Sequence, residues 1–178
     1  MAFKNGDQNP EKIDKKLVHK QNIDNVVISK PQKFGNIWHF NMFDKTKEFN
    51  FDHESDHMQG MFLIEAARQS GIATMHLNGL PFDGKLNMTE INTEFHNYIE
   101  FGSPVIIRSI SNSANFDQCS FGKYYIILHL IQFGKVCVMV YLQGMMFKKQ
   151  GDLENHRTRI VNVNEKLKTK YHSLLGDI

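Results

Sequence analysis

The chain has 178 residues, of which 41% are hydrophobic and 11% aromatic, so it can form the core of one globular domain. Its formal net charge is +2 and its lysines and arginines are spread along the chain, which argues against nucleic-acid binding. The two cysteines lack paired or metal-ligand spacing, and no apolar run is long enough to be a signal segment or a membrane span, so we expect a cytoplasmic protein.

The N-terminal part predicts a flexible leader followed by two strands. Residues 1–16 are polar and offer little to bury, so we expect them to be flexible. Residues 26–29 are β-branched and residues 36–43 are rich in aromatics with partial alternation. The turn residues between these two runs indicate a hairpin.

A buried helix is predicted from about Met58 to the Asn78-Gly79 stop signal. Its apolar residues cover nearly every helical face, which is typical of a helix enclosed by other elements. Gly71 costs about 1 kcal/mol relative to Ala inside a helix, which indicates close packing against a neighbouring element.

Four further strands are predicted at residues 86–96, 105–113, 124–132 and 136–147, the last two forming a hairpin at Phe133-Gly134. The tail, residues 151–178, is polar and has weak helical periodicity. The order of strand, strand, buried helix and four strands indicates an α+β fold with one core helix.

The start of the buried helix offers a candidate oxyanion site. The first N–H groups of a helix have no partner within it, and those of Gly60 and Met61 would point outward with the positive end of the helix dipole behind them. Gly60 lacks a Cβ, so a thioester carbonyl can approach its backbone closely. The alternative is a glycine that only eases entry into the helix.

Glu65 is the candidate general base on this helix. Its apolar neighbours would desolvate the carboxylate and raise its pKa toward the range useful for catalysis. Arg68, three residues later, offers the alternative of a structural ion pair that lowers the pKa instead. Gln69 is placed to hydrogen-bond the Glu65 carboxylate, a bound carbonyl or a buried backbone group.

The loop before the helix carries His53 and His57, with Asp56 placed to orient one imidazole for proton transfer. These three residues also suit a metal site if the loop is helical, although the HExxH motif of metallohydrolases is absent. A plain surface loop is the third interpretation. We expect no bound metal and no cofactor.

Two stretches resemble the A-factor biosynthesis hotdog domain family, called AfsA-like. The first is Val18-His19-Lys20 with the β-branched run at 26–29, similar to the family's "VHK" entry into its first strand. The second, residues 52–69, is similar to its "DH…DHxxGMxLxEAARQ" signature. Gly60, Glu65 and Gln69 also resemble the "PGxxxxEAxxQ" helix of hotdog dehydratases, although Gln59 stands where Pro is common.

The resemblance implies a single hotdog domain at residues 17–150, in which a long antiparallel sheet wraps around the central helix. It implies an acyltransferase that moves a (β-keto)acyl group from an acyl carrier protein or coenzyme A thioester to a small hydroxylated acceptor such as dihydroxyacetone phosphate, en route to γ-butyrolactones. Catalytic roles would then belong to Glu65 and to His53 or His57, substrate-binding roles to Gly60, Met61, Arg68 and Gln69, and an orienting role to Asp56.

Family members typically hold two hotdog repeats, whereas this sequence has one, so we expect a homodimer. The alternative functions are dehydration of a 3-hydroxyacyl thioester, its hydrolysis, or non-catalytic binding of an acyl or butyrolactone-like ligand.

Overall fold

The computed structural model describes residues 10–46, 55–112 and 121–175. Two 3₁₀ helices, Lys15–Val18 and Ile23–Asn25, come first. The strands and α-helices that follow are β1 Gln32–Phe34, β2 Ile37–Met42, α1 Gly60–Leu77, β3 Lys85–Phe95, β4 Val105–Ser111, β5 Phe121–Gln132, β6 Lys135–Phe147 and α2 Gln150–Leu175. The strands form one antiparallel sheet in the order β1-β2-β4-β5-β6-β3.

Helix α1 lies against this sheet and contacts β2, β4, β5 and β6. Thirteen of its residues are buried, and they cover almost every helical face. A Cβ added to Gly71 would lie 2.8 Å from Cδ1 of Leu142, so the predicted close packing at this glycine is confirmed. The predicted fold, a long antiparallel sheet around one central helix, is confirmed as well.

The hairpin between β5 and β6 is also as predicted. Gln132 pairs with Lys135, which leaves Phe133 and Gly134 as a two-residue loop. Both loop residues have positive φ, 50° and 73° respectively, as two-residue hairpins often require.

The N-terminal prediction needs correction in two places. Residues 10–16, placed in a flexible leader, are ordered: Ile13 is 2% exposed and its N–H donates to the carbonyl of Ile28. The run at 26–29 forms two isolated bridges, from Ile28 to Met42 and from Ser29 to Lys12, instead of a strand. The side chain of Gln69 accepts from the N–H of Val27, which takes a donor that a strand would use. The first hairpin is therefore β1 and β2.

Trp38, the only tryptophan of the chain, lies where β2 meets the end of helix α1. Its indole Nε1 donates to Oδ1 of Asn78 at 2.9 Å. The ammonium group of Lys33 lies 4.7 Å from the centre of its ring. Trp38 therefore ties the outer part of the sheet to the C-terminus of the central helix.

The tail forms α2, a helix of 26 residues. Near its beginning, the imidazole of His156 lies 5.3 Å from the ring of Phe147 and 6.5 Å from the ring of Phe121. None of the helices in the described part of the chain combines the length and the apolar character needed to span a bilayer.

Gly144→Ala should destabilise the fold. The new Cβ would lie 2.2 Å from the backbone oxygen of Asn87 and 2.7 Å from the hydroxyl of Tyr124, so β3 must move away from β6. Overpacking of this kind typically costs about 1–3 kcal/mol of unfolding free energy. Chemical denaturation measures the difference.

Gly151→Ala is the matched control, because nothing lies within 4 Å of the added Cβ in the first turn of α2. Alanine is the better helix former by roughly 1 kcal/mol, so this variant should be as stable as the wild type or slightly more stable. Equal stability of the two alanine variants would contradict the close contact at Gly144.

Candidate functional site

The loop that leads into α1 is fixed by backbone contacts to the segment after β3. His57 forms a bridge with Glu100, and the N–H of Met58 donates to the carbonyl of Ile99 at 2.8 Å. Gln132 holds the other side of this segment, because its side chain accepts from the Glu100 N–H and donates to the Glu100 carbonyl. The position of His57 is thus set by the sheet.

Helix α1 begins at Gly60, two residues later than predicted. The carbonyl of Gln59 accepts from the N–H groups of Phe62 and Leu63 at 3.0 and 3.2 Å. Among the described residues, no group accepts from the N–H of Gly60 or of Met61. These two amides are therefore free to bind an oxygen that gains negative charge.

His57 and Asp56 form the predicted pair. Nδ1 of His57 lies 2.6 Å from Oδ1 of Asp56, and since a carboxylate only accepts, Nδ1–H donates. This hydrogen bond holds the pKa of the Asp56 carboxyl below its ordinary value. Nε2 of a neutral His57 is then left to accept a proton. The ring of Tyr98 packs on the imidazole, with 4.4 Å between the centroids.

His57 and Gly60 face a common crevice of about 590 Å³, which Leu63, Phe95 and Tyr98 also line. Phe95, at the end of the edge strand β3, lies directly over Gly60. A Cβ added to Gly60 would be 3.1 Å from Cζ of that ring. Gly60 therefore allows close approach to the helix start, and a phenyl ring fills that space in this structure.

Glu65 lies farther along α1, buried in a ring of donors. Arg68 donates from Nε to Oε2 at 2.6 Å and from Nη2 to Oε1 at 2.8 Å. The ammonium group of Lys20 lies 2.8 Å from Oε1, and Nε2 of Gln69 donates to the same atom at 2.9 Å. The carboxylate thus has four close polar contacts.

These contacts determine the pKa of Glu65. Burial alone would raise the pKa of this carboxyl, but the hydrogen bonds and charges of Arg68, Lys20 and Gln69 outweigh burial and lower it. The predicted rise of the pKa is therefore wrong, and the alternative of a structural pair with Arg68 is what the structure shows. Glu65 is ionised near neutral pH and has little free capacity to accept a proton.

Gln69 hydrogen-bonds both the Glu65 carboxylate and the backbone. Its Nε2 also donates to the carbonyl of Asn25 at 2.8 Å, and its Oε1 accepts from the N–H of Val27 at 3.0 Å. Because Gln69 is fully buried and uses both ends of its amide, it holds the N-terminal segment on the central helix.

Sequence reasoning missed the participation of His19 and Lys20 in this cluster. Nε2 of His19 lies 2.8 Å from Nε2 of His76, whose Nδ1 contacts the carbonyl of Leu80 at 3.0 Å. Burial, followed by the charges of His76, Lys85 and Arg68, lowers the pKa of His19 from 6.5 to about 4. The family likeness quoted both residues, but nothing in their local pattern indicated that they meet α1.

The predicted site residues fall into two groups. Asp56, His57 and Gly60 lie at the start of α1, and Gly60 and His57 share the larger crevice. Glu65, Arg68 and Gln69 do not line that crevice. Arg68 and His19 instead line a second, smaller cavity of about 170 Å³ against β3, β5 and β6.

Two of the predicted site residues contribute less. Met61 has an exposed side chain, so only its backbone amide belongs to the site. His53 lies outside the described residues, and so does part of the metal site considered for this loop. Within the described residues, no three His, Cys, Asp or Glu side chains are grouped so that they could hold a metal ion.

Curated relatives resemble part of the chain. A 2-oxo-3-(phosphooxy)propyl 3-oxoalkanoate synthase of Streptomyces griseus is 33% identical over 88 residues, which are 49% of this chain and 27% of that protein. A second sequence with the same name, from a strain of the same species, matches to the same extent, with 26% of that protein covered. The match thus spans about a quarter of the length of these relatives.

Solved structures show the same fold at low sequence identity. A putative thioesterase from Shewanella oneidensis has a TM-score of 0.52 at 14% identity, covering 67% of this chain and 82% of that one. A putative thioesterase from Lactococcus lactis has the same TM-score and identity, covering 70% of this chain and 96% of that one.

The model of the A-factor biosynthesis hotdog domain matches residues 1–148. This chain therefore belongs to the A-factor biosynthesis hotdog domain family.

Proposed function

We propose that this chain is an acyltransferase. Its donor is a (β-keto)acyl thioester of an acyl carrier protein or coenzyme A, and its acceptor is a small hydroxylated molecule such as dihydroxyacetone phosphate. One observation carries the proposal: a histidine oriented by an aspartate, His57 with Asp56, shares a crevice with the free amides at the start of α1. The name of the Streptomyces relatives, a synthase of a phosphorylated 3-oxoalkanoate ester, supports the same reaction.

The proposed reaction needs one base and one oxyanion site. Nε2 of His57 takes the proton of the acceptor hydroxyl, whose oxygen attacks the thioester carbonyl carbon. The amides of Gly60 and Met61 bind the oxygen that becomes negative. When the carbon–sulfur bond breaks, His57 returns the proton to the leaving sulfur and the new ester remains. Phe95 has to turn away from Gly60 before the thioester can approach.

We assign Glu65 a positioning role in place of the predicted role as base. Dehydration in the hotdog manner would need a helix carboxyl that transfers protons, and a Glu65 bound by Arg68, Lys20 and Gln69 is poorly suited to that role. The low pKa of Glu65 therefore favours acyl transfer over dehydration.

We further propose that two copies of the chain pair along β3. This strand of 11 residues is the edge of the sheet, and Met88, Ile91 and Phe95 on it are exposed. An edge strand offers unpaired backbone groups to a second strand. A partner at this edge would lie beside Phe95 and thus border the crevice of His57.

Ile91→Asp should weaken this dimer, because it introduces a charge into the proposed apolar edge. Sedimentation velocity across a concentration series should show a monomer at concentrations where the wild type is a dimer. Ile127→Asp, on the similarly exposed Ile127 of β5, is the control and should keep the wild-type mass. A wild-type monomer at every concentration would contradict pairing along β3.

His57→Ala should lower kcat for ester formation by about 10²–10⁴-fold, the usual contribution of a general base. The assay incubates the protein with β-ketoacyl carrier-protein thioester and dihydroxyacetone phosphate and identifies products by mass spectrometry. A new ester, a free acid and a dehydrated thioester differ in mass, so the assay separates transfer, hydrolysis and dehydration.

His96→Ala is the matched control, because His96 lines the same crevice but its nearest acid contact is a longer one, 3.4 Å to Glu94. Its kcat should stay within about threefold of the wild type, far from the loss of a general base. A large loss in the His96 variant together with an unaffected His57 variant would move the base to His96. Absence of ester with every acceptor tested would refute the acyltransferase.

Glu65→Gln should lower the free energy of unfolding by about 3 kcal/mol near neutral pH, because it breaks the buried ion pairs of Glu65 with Lys20 and Arg68. The folded pKa of Glu65 is lowered, so the unfolded chain binds the proton more readily. The stabilisation is therefore complete above the ordinary pKa of 4.5 and is lost as the pH falls through the folded value. The difference between variant and wild type should shrink in acid.

Glu165→Gln is the control for this measurement, because Glu165 forms an exposed pair with Lys168 on α2. Exposed pairs contribute about 0–1 kcal/mol, so this variant should unfold like the wild type. The lowered pKa of His19 also makes the fold less stable in acid. Because His19 is present in all three proteins, this effect cancels to first order when they are compared. A difference for Glu65→Gln that stayed constant in acid would contradict the ionised, paired carboxylate.

A further inference from the structure

Helix α2 is almost free of the rest of the molecule. It begins after residue 148, where the match to the family ends, and its contacts with the sheet involve β6. The ring contacts of His156 lie near its first turns. Every side chain from residue 157 to residue 174 is exposed. Most of the stability of a helix in a protein comes from tertiary packing, and most of α2 has none. We therefore expect its exposed side chains to bind a partner.

The exposed residues of α2 are sorted around the helix axis. At about 100° per residue, one narrow stripe about 80° wide collects five of the six large apolar side chains that are exposed on the described part of this helix, Ile160, Val163, Leu167, Tyr171 and Leu174, while Val161 lies outside it. Cations border this stripe on both sides: Arg159, Lys166 and Lys170 on one side, Arg157 and Lys168 on the other. The carboxylates of Glu154 and Glu165 lie on the opposite face.

The cations around the stripe favour a negatively charged partner surface over a neutral one. Between residues 157 and 174 the helix carries five cations and one carboxylate. Lys168 pairs with Glu165 at 3.3 Å, and within the described part of the chain the other four cations have no carboxylate partner. Two copies of this helix packed stripe to stripe would bring these cations together, which disfavours a second copy as the occupant.

We propose that α2 binds the surface of an anionic phospholipid bilayer. The apolar stripe enters the boundary between headgroups and acyl chains, while the cations on both flanks extend to the lipid phosphates at equal depth. Tyr171 lies at the margin of the stripe, where an amphipathic ring suits the interface. An acidic groove of a protein would need the apolar stripe but would not require cations along both of its sides, so the bilayer is the better fit.

Vesicle co-sedimentation of the full chain tests this proposal. The probes are vesicles of phosphatidylcholine alone and of phosphatidylcholine mixed with phosphatidylglycerol. The wild type should bind only the mixed vesicles, and added salt should weaken the binding. Leu167→Asp should lower the partition coefficient by about tenfold or more, since it replaces a stripe leucine that the bilayer would bury.

Thr169→Asp is the matched control, because it makes the same change of charge on the opposite face of the helix. Its partition coefficient should stay within about threefold of the wild type. A second variant, Lys170→Gln, keeps the stripe and the helix propensity and should bind mixed vesicles about fivefold less tightly. Circular dichroism confirms equal helix content.

Several outcomes would overturn the proposal. Failure of the wild type to bind mixed vesicles would reject a bilayer. Equal losses for Leu167→Asp and Thr169→Asp would show attraction of charge without a stripe. A lower mass of Leu167→Asp in lipid-free sedimentation, without vesicle binding by the wild type, would assign the stripe to a second copy. Binding of polyglutamate in place of vesicles would assign it to an acidic protein.

Discussion

The buried carboxylate of Glu65 is the constraint on which the central part of this structure depends. A charge in that position is costly unless it is paired, and three donors on two separate parts of the chain supply the pairing: Lys20 before β1, and Arg68 and Gln69 on α1. The same interaction that keeps the carboxylate ionised therefore joins the N-terminal segment to the helix. Removing the carboxylate would take away the contact that Lys20, Arg68 and Gln69 share.

The signature at residues 52–69 has two parts with different contacts. The first part of the signature, up to Gly60, places Asp56 and His57 at a crevice and leaves two amides free. The second part, from Glu65 to Gln69, secures the helix to the segment that precedes the sheet. The proposed chemistry therefore lies at the start of this helix and the anchoring contacts lie one to two turns farther along it.

Most of the fold could be predicted because its signals are local. The helix and strands β3 to β6 show periodicity within windows of ten or so residues, and the β5–β6 loop carries its own turn residues. The strand predicted at 26–29 does not form, because Gln69, far away in sequence, accepts from the N–H of Val27. The burial of Ile13 was not predicted for a similar reason. One apolar residue in a polar stretch gives no periodicity and becomes part of the core only through tertiary contact.

The candidate site could be predicted less well than the fold. The pair of Asp56 and His57 follows from adjacency in sequence, and the free amides follow from the helix start. The ionisation of Glu65 does not, because burial and pairing act in opposite directions and the pairing with Lys20 spans 45 positions along the chain.

Trp38 has a practical consequence of another kind. As the sole indole, hydrogen-bonded to Asn78 at the far end of α1, it makes intrinsic fluorescence a reporter of whether sheet and helix remain joined.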